Sequence, residues 1–184
     1  MPKAISLVRY VALLRGINVG GNHKVPMADL KKQFESLGYT DVKTILASGN
    51  VLFSAPAQTE KAIKEAIQVK LEKTYGFFIE TMIRPLAVIE ELIKADPFRK
   101  VTVTNATLLY VSFFENPPKT TLKIPYVSTN GALQILDIRG REVFSVITLS
   151  EHMSTPDAMG EMTKAFGKNP VTVRNWNTVL KMMK

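Results

Sequence analysis

The chain has 184 residues, of which 46% are hydrophobic, so it can build a packed core as one domain or two small ones, and disorder as a class is excluded. It has no cysteine, which excludes disulfides, thiol nucleophiles and cysteine–zinc sites, and its two histidines, His23 and His152, are too few for a multi-histidine metal centre. Lys and Arg total 24 against 16 Asp and Glu, a formal charge of +8, and such a field draws in nucleic acid, nucleotides and acidic metabolites.

At the N-terminus, Lys3, Arg9 and Arg15 interrupt the apolar run, so it lacks a signal-peptide core, and no apolar stretch is long enough to span a bilayer. The expectation is a soluble cytoplasmic protein with no membrane partner. Val8 to Leu14 is β-prone and apolar apart from Arg9, and reads as a buried first strand. It breaks into Gly16, Asn18, Gly20, Gly21 and Asn22, then closes on His23 and Lys24. Glycines there permit positive φ and close approach of a partner, and successive N–H groups in such a turn can cradle an anion. The common phosphate loops are excluded. Gly16 and Gly21 have the P-loop separation, but Asn22 and His23 stand where Lys and Ser/Thr belong, and no G-x-G-x-x-G occurs. A glycine loop that merely turns a strand into a helix stays open beside anion binding.

Pro26 suits the first turn of a helix whose face is Met27, Leu30, Phe34 and Leu37, with Gly38 as its stop. Val42 to Ala47 and Val51 to Ser54 read as strands joined by a tight turn at Ser48, Gly49 and Asn50. Residues 59 to 75 form a helix burying Ile63, Ala66, Ile67 and Leu71, and Phe77 to Arg84 returns as a fourth strand. This order, β-α-β-β-α-β, is ferredoxin-like, with the first and third strands central.

Leu86 to Ala95 is a further helix opened by Pro85, and Ala106 to Phe114 a fifth strand. Asn116 to Gly131 carries turn signals, and Leu133 to Arg139 with Glu142 to Thr148 alternate as a hairpin. A short helix is expected from Thr155 and Pro156, with Met159, Met162 and Phe166 inside and Gly167 at its end. Thr172 then caps a last helix bearing Val173, Trp176, Leu180 and Met183. The second half thus echoes the first but lacks a clear final strand. The expected fold class is α+β: two ferredoxin-like subdomains packed together, the second degenerate, over residues 1–98 and 99–184.

Chemistry-bearing residues are sparse. Arg174 and Asn175 would open the last helix, where N–H groups and the helix dipole welcome an anion; a solvated Arg174 and a core Trp176 are the plainer alternative. Glu90 and Glu91 point to different parts of one helix surface, and Asp137 with Glu142 belongs to the hairpin, so no carboxylate pair suggests hydrolysis. Tyr110, Phe113 and Phe114 lack an RNP-type surround, and core packing explains them better than RNA stacking.

Three segments, YVALLRGINVGGNHKVPMADL from Tyr10, ILASGNVLF from Ile45 and TVRNWNTVLKM from Thr172, resemble the bacterial domain-of-unknown-function family 1697. The resemblance implies small cytoplasmic α+β proteins of two ferredoxin-like subdomains, and brings no catalytic residue, cofactor or substrate. It also implies that the three polar motifs serve one site.

The function expected from the sequence is therefore binding of an anionic ligand (a nucleotide, phosphorylated metabolite or short RNA) in a cleft between subdomains, with no cofactor and no metal. Its residues would be Arg15, Gly16, Asn18, Gly20, Gly21, Lys24, Ser48, Asn50, Arg174, Asn175 and Asn177. The guanidinium groups would supply charge-assisted bonds, and the amides orientation. An enzyme using that pocket, with His23 or a carboxylate as base, and a protein-interaction module with the motifs as a packing junction are the alternatives. Oligomeric state is not legible.

Overall fold

A computed structural model of the chain describes residues 6–150, 160, 162 and 165–184. The chain divides into two compact units, Met1–Glu91 with Lys181–Lys184, and Leu92–Leu180.

The first unit runs β1 (Leu7–Leu14), α1 (Met27–Ser36), β2 (Thr40–Ile45), β3 (Asn50–Pro56), α2 (Glu60–Tyr75) and β4 (Thr81–Pro85), and the next helix, α3 (Leu86–Ala95), follows β4 without a loop. The strands form one antiparallel sheet in the order β2-β3-β1-β4, which places the most apolar strands in the middle. Strand residues alternate between faces. Tyr10, Ala12 and Leu14 of β1 lie opposite or beside Val51, Phe53 and Ala55 of β3 on the face covered by Leu30 and Phe34 of α1 and Ile63, Ile67 and Leu71 of α2. Aromatic packing concentrates at Phe53, whose ring lies 4.7 Å from Tyr39, 5.4 Å from Phe34 and 5.8 Å from Tyr10, centroid to centroid. Local signals fix the helix ends: the Thr59 hydroxyl accepts from Ala62 N–H at the start of α2, and Gly76 at φ 79° ends it in the left-handed conformation.

The second unit holds β5 (Thr107–Phe114), β6 (Tyr126–Val127), β7 (Leu133–Arg139), β8 (Glu142–Thr148), β9 (Val171–Asn175) and all but the last residue of α4 (Trp176–Lys181). Its antiparallel sheet has the order β6-β7-β8-β5-β9. Phe114, Leu133, Ile135, Val143 and Ile147 form a core with Met162 and Phe166, both helical. Of the helix expected from Thr155, residues Thr155, Pro156 and Met159 lie outside the described residues, as does His152.

The tail departs from the sequence expectation. Residues Val171–Asn175 are a strand paired along β5, from Phe114↔Val171 to Tyr110↔Asn175, so a final strand is present and Thr172 does not cap a helix. The β-branched run Val171, Thr172, Val173 favours extended backbone. Asn175 then starts the helix, its Oδ1 accepting from Asn177 N–H at 2.9 Å. With the helix beginning at Trp176, its buried residues are Trp176 and Val179; Met182, just past its end, is also buried, and Met183 is exposed.

Two hydroxyls in the second sheet are buried at a cost. Ser112 of β5 and Ser145 of β8 share a face, since Ser112 pairs with Val143 and Ser145 with Tyr110, and both are fully buried with no partner for Oγ among the described residues. An unmet hydroxyl in an apolar setting costs about 1–3 kcal/mol. Ser145→Ala is therefore expected to raise the urea midpoint, by up to about 1 kcal/mol in stability after the small cavity is discounted. A lowered midpoint would show that this hydroxyl is satisfied in solution.

Candidate functional site

The turn after β1 is built by its own polar side chains. Gly16, Asn18, Gly20, Gly21 and His23 all have positive φ, from 50° to 78°. Val19 and Asn22 bridge as a minimal hairpin, with Asn22 N–H donating to Val19 O at 3.2 Å and Gly20 and Gly21 at the tip. Two consecutive positive-φ residues are what the tightest hairpin turns need, and Gly-Gly supplies them without steric cost.

Asn18 latches this hairpin to the rest of the unit. Its amide nitrogen donates to Val25 O and to Ala47 O, both at 2.9 Å, while Oδ1 accepts from Val25 N–H at 2.8 Å. One side chain thus ties the loop both to the entry of α1 and to the β2–β3 turn. That turn is organised in the same manner: Asn50, fully buried, donates to Ile45 O at 2.8 Å and to the Ser48 hydroxyl at 3.0 Å. Leu14 N–H donates to Gly49 O at 2.8 Å, which brings the two motifs into direct contact. The first and second polar motifs therefore meet in one junction of the first unit, where the amides of Asn18 and Asn50 are engaged by backbone.

What the junction presents outward is positive. Arg15 and Lys24 are exposed at either end of the loop, and among the described residues neither pairs with a carboxylate. Arg15 is set by its backbone, which donates to Glu80 O at 2.8 Å, and the Glu80 carboxylate itself meets Lys64 at 3.2 Å. His23 stacks on Phe77, centroids 4.2 Å apart, with Nδ1 3.2 Å from Gly16 O. Sequence reading placed His23 at the loop but missed Phe77, because its partner lies more than fifty positions away. Tyr75, next to this aromatic pair, donates to Asp29 at 2.7 Å, and burial together with that carboxylate pushes its phenol well above the ordinary range.

The third motif belongs to the second unit. Arg174 is buried, not at a helix start: it lies in β9 opposite Val111, and its Nη1 donates to the Thr172 hydroxyl at 2.8 Å and to Val173 O at 2.9 Å. Burial draws its guanidinium down to about 10, which leaves it charged at neutral pH. Asn175 is occupied in starting α4, and Asn177 is exposed on that helix. Among the described residues, no cluster of His, Cys, Asp and Glu is arranged to hold a metal ion, and no helix is long and apolar enough to cross a membrane.

Two antiparallel sheets with flanking helices, carrying a latched glycine hairpin, define a mixed α/β protein. Over residues 7–144 the sequence matches the family described as protein of unknown function (DUF1697), and the chain belongs to that family. The fold is similar to that of conserved bacterial protein SP0830 from Streptococcus pneumoniae, with a TM-score of 0.70 and 21% identity, covering 96% of this chain and 97% of that one. No curated protein matches the sequence.

Proposed function

We propose that the hairpin between β1 and α1 binds a small anionic ligand bearing phosphate, with Arg15 and Lys24 supplying charge and Gly16, Gly20 and Gly21 giving close backbone approach. The carrying observation is that a loop tied by three hydrogen bonds of Asn18 presents two exposed cations that no carboxylate neutralises among the described residues. Holding the loop in advance lowers the ordering cost of binding. In this reading Asn18, Ser48 and Asn50 are positioning residues, Arg174 and Asn175 serve their own strand and helix, and the ligand contacts come from the first unit. The exposed His23 ring, stacked on Phe77, adds a flat surface that favours a nucleotide over a phosphorylated sugar. A cytoplasmic setting and a ferredoxin-like first unit belong to the same reading; the element order β-α-β-β-α-β and the sheet order β2-β3-β1-β4 support the latter.

Calorimetric titration with adenosine monophosphate at low salt tests the proposal. Saturable binding is expected, weakened at least about tenfold in the Arg15→Ala/Lys24→Ala double variant, since each cation contributes a charge-assisted bond. Both side chains are exposed, so the variant keeps its fold. Absence of binding, or equal affinity in the variant, would refute it.

A further inference from the structure

The first unit contains a concavity at the end of β1 away from the hairpin. It has a volume of about 430 Å³. Leu52, Leu86 and Met182, all buried, line it together with Val8 of β1 and Pro85 at the end of β4, while Arg9, Lys43, Lys184 and Glu90 supply its charge. Arg9 and the hairpin after Leu14 are separated by the length of β1, roughly 16 Å at about 3.3 Å per strand residue. The two sites are therefore distinct.

We propose that this cavity binds a carboxylate carried on an apolar body. Its size falls within the range of small-molecule sites, about 300–1,000 Å³, and the combination of an apolar lining with a few placed polar groups is the usual composition of such sites. Arg9 and Lys43 are exposed, and among the described residues neither forms an ion pair. Asp41, in the β2 bulge, accepts instead from the Ser54 hydroxyl at 2.9 Å. A guanidinium matches a carboxylate with two parallel bonds, which selects that head group. The first turn of α3, at Leu86 and Ala87, also lines the cavity and contains no acidic residue, so the positive end of the helix dipole adds to the attraction. Glu90 lies one turn further along, and its charge opposes a second carboxylate, which limits the ligand to a single head group. Met182 and Met183, unbranched and adaptable, suit an apolar body of no fixed shape.

Octanoate is the test ligand, with octan-1-ol carrying the same body without charge and acetate the charge without body. Titration of protein with ¹³C-labelled methionine methyl groups is expected to shift Met182 and Met183 saturably with octanoate, and at least tenfold more weakly with either control. In Arg9→Gln/Lys43→Gln the octanoate affinity should fall at least tenfold toward that of octanol, with Lys184 and the start of α3 keeping a small residual preference, while octanol binding is unchanged. No saturable shift, equal response to acetate or octanol, or an unaltered affinity in the variant would each overturn the proposal. Adenosine monophosphate binding at the β1–α1 hairpin is expected to survive these substitutions, so failure of one site is separable from failure of the other.

Discussion

Gly49→Ala is expected to destabilise the protein by about 2–5 kcal/mol, read as a lowered urea midpoint with unchanged slope. Two effects add. Gly49 sits at φ 78°, a conformation that costs an L-residue about 1–2 kcal/mol. An added Cβ would lie 2.7 Å from Ile17 Cδ1 and 2.9 Å from Leu14 Cβ, contacts that force the packed core to move. Such overpacking costs typically about 1–3 kcal/mol. Leu14 cannot retreat cheaply, since its N–H donates to Gly49 O and its side chain belongs to the core. Gly20→Ala is the control. Gly20 also has positive φ, at 61°, but open space surrounds the added Cβ, so only the backbone cost of about 1–2 kcal/mol remains. Equal effects of the two substitutions would show that the junction is not closely packed in solution.

Phe53→Ala is expected to cost about 3–5 kcal/mol, a large part of the 5–15 kcal/mol that stabilises a typical domain. Phe53 is fully buried at the centre of the first sheet, and three aromatic rings, Tyr10, Phe34 and Tyr39, lose their partner together. Thermal unfolding followed by circular dichroism checks this; a loss below about 1 kcal/mol would mean that the cluster collapses to fill the space.

The elements whose signals are local are those the sequence made legible. The helix Leu86–Ala95 and the hairpin strands Leu133–Arg139 and Glu142–Thr148 fall at the residues expected, because Pro85 and the Gly140–Arg141 turn punctuate clear helical and alternating patterns. The tail shows why others were not. Val173, Trp176, Leu180 and Met183 fit helical spacing, yet Val173 lies in a strand, because pairing with β5 satisfies its backbone and β-branched residues accept that conformation. Short apolar runs are ambiguous between the two periods, and tertiary pairing decides.

The loop itself was legible as a positive-φ turn from its glycines. The work of its asparagines was not. Asn18 reaches Ala47, twenty-nine positions away, and nothing in either local sequence announces that bond. Arg174 is similar: its charge invited a surface role, and its burial follows from register along β5. Arg9, by contrast, looked like a mere interruption of an apolar strand and lines a cavity whose other walls come from β2, β3, the end of β4, α3 and Met182 to Lys184.

Whether the latched hairpin is an anion site is read most directly from backbone amide shifts during titration with adenosine monophosphate at low salt. Saturable movement is expected at Gly16, Gly20, Gly21 and Lys24, with Arg174 to Asn177 unmoved. Stationary glycine amides, or shifts concentrated at Arg174 to Asn177, would contradict it.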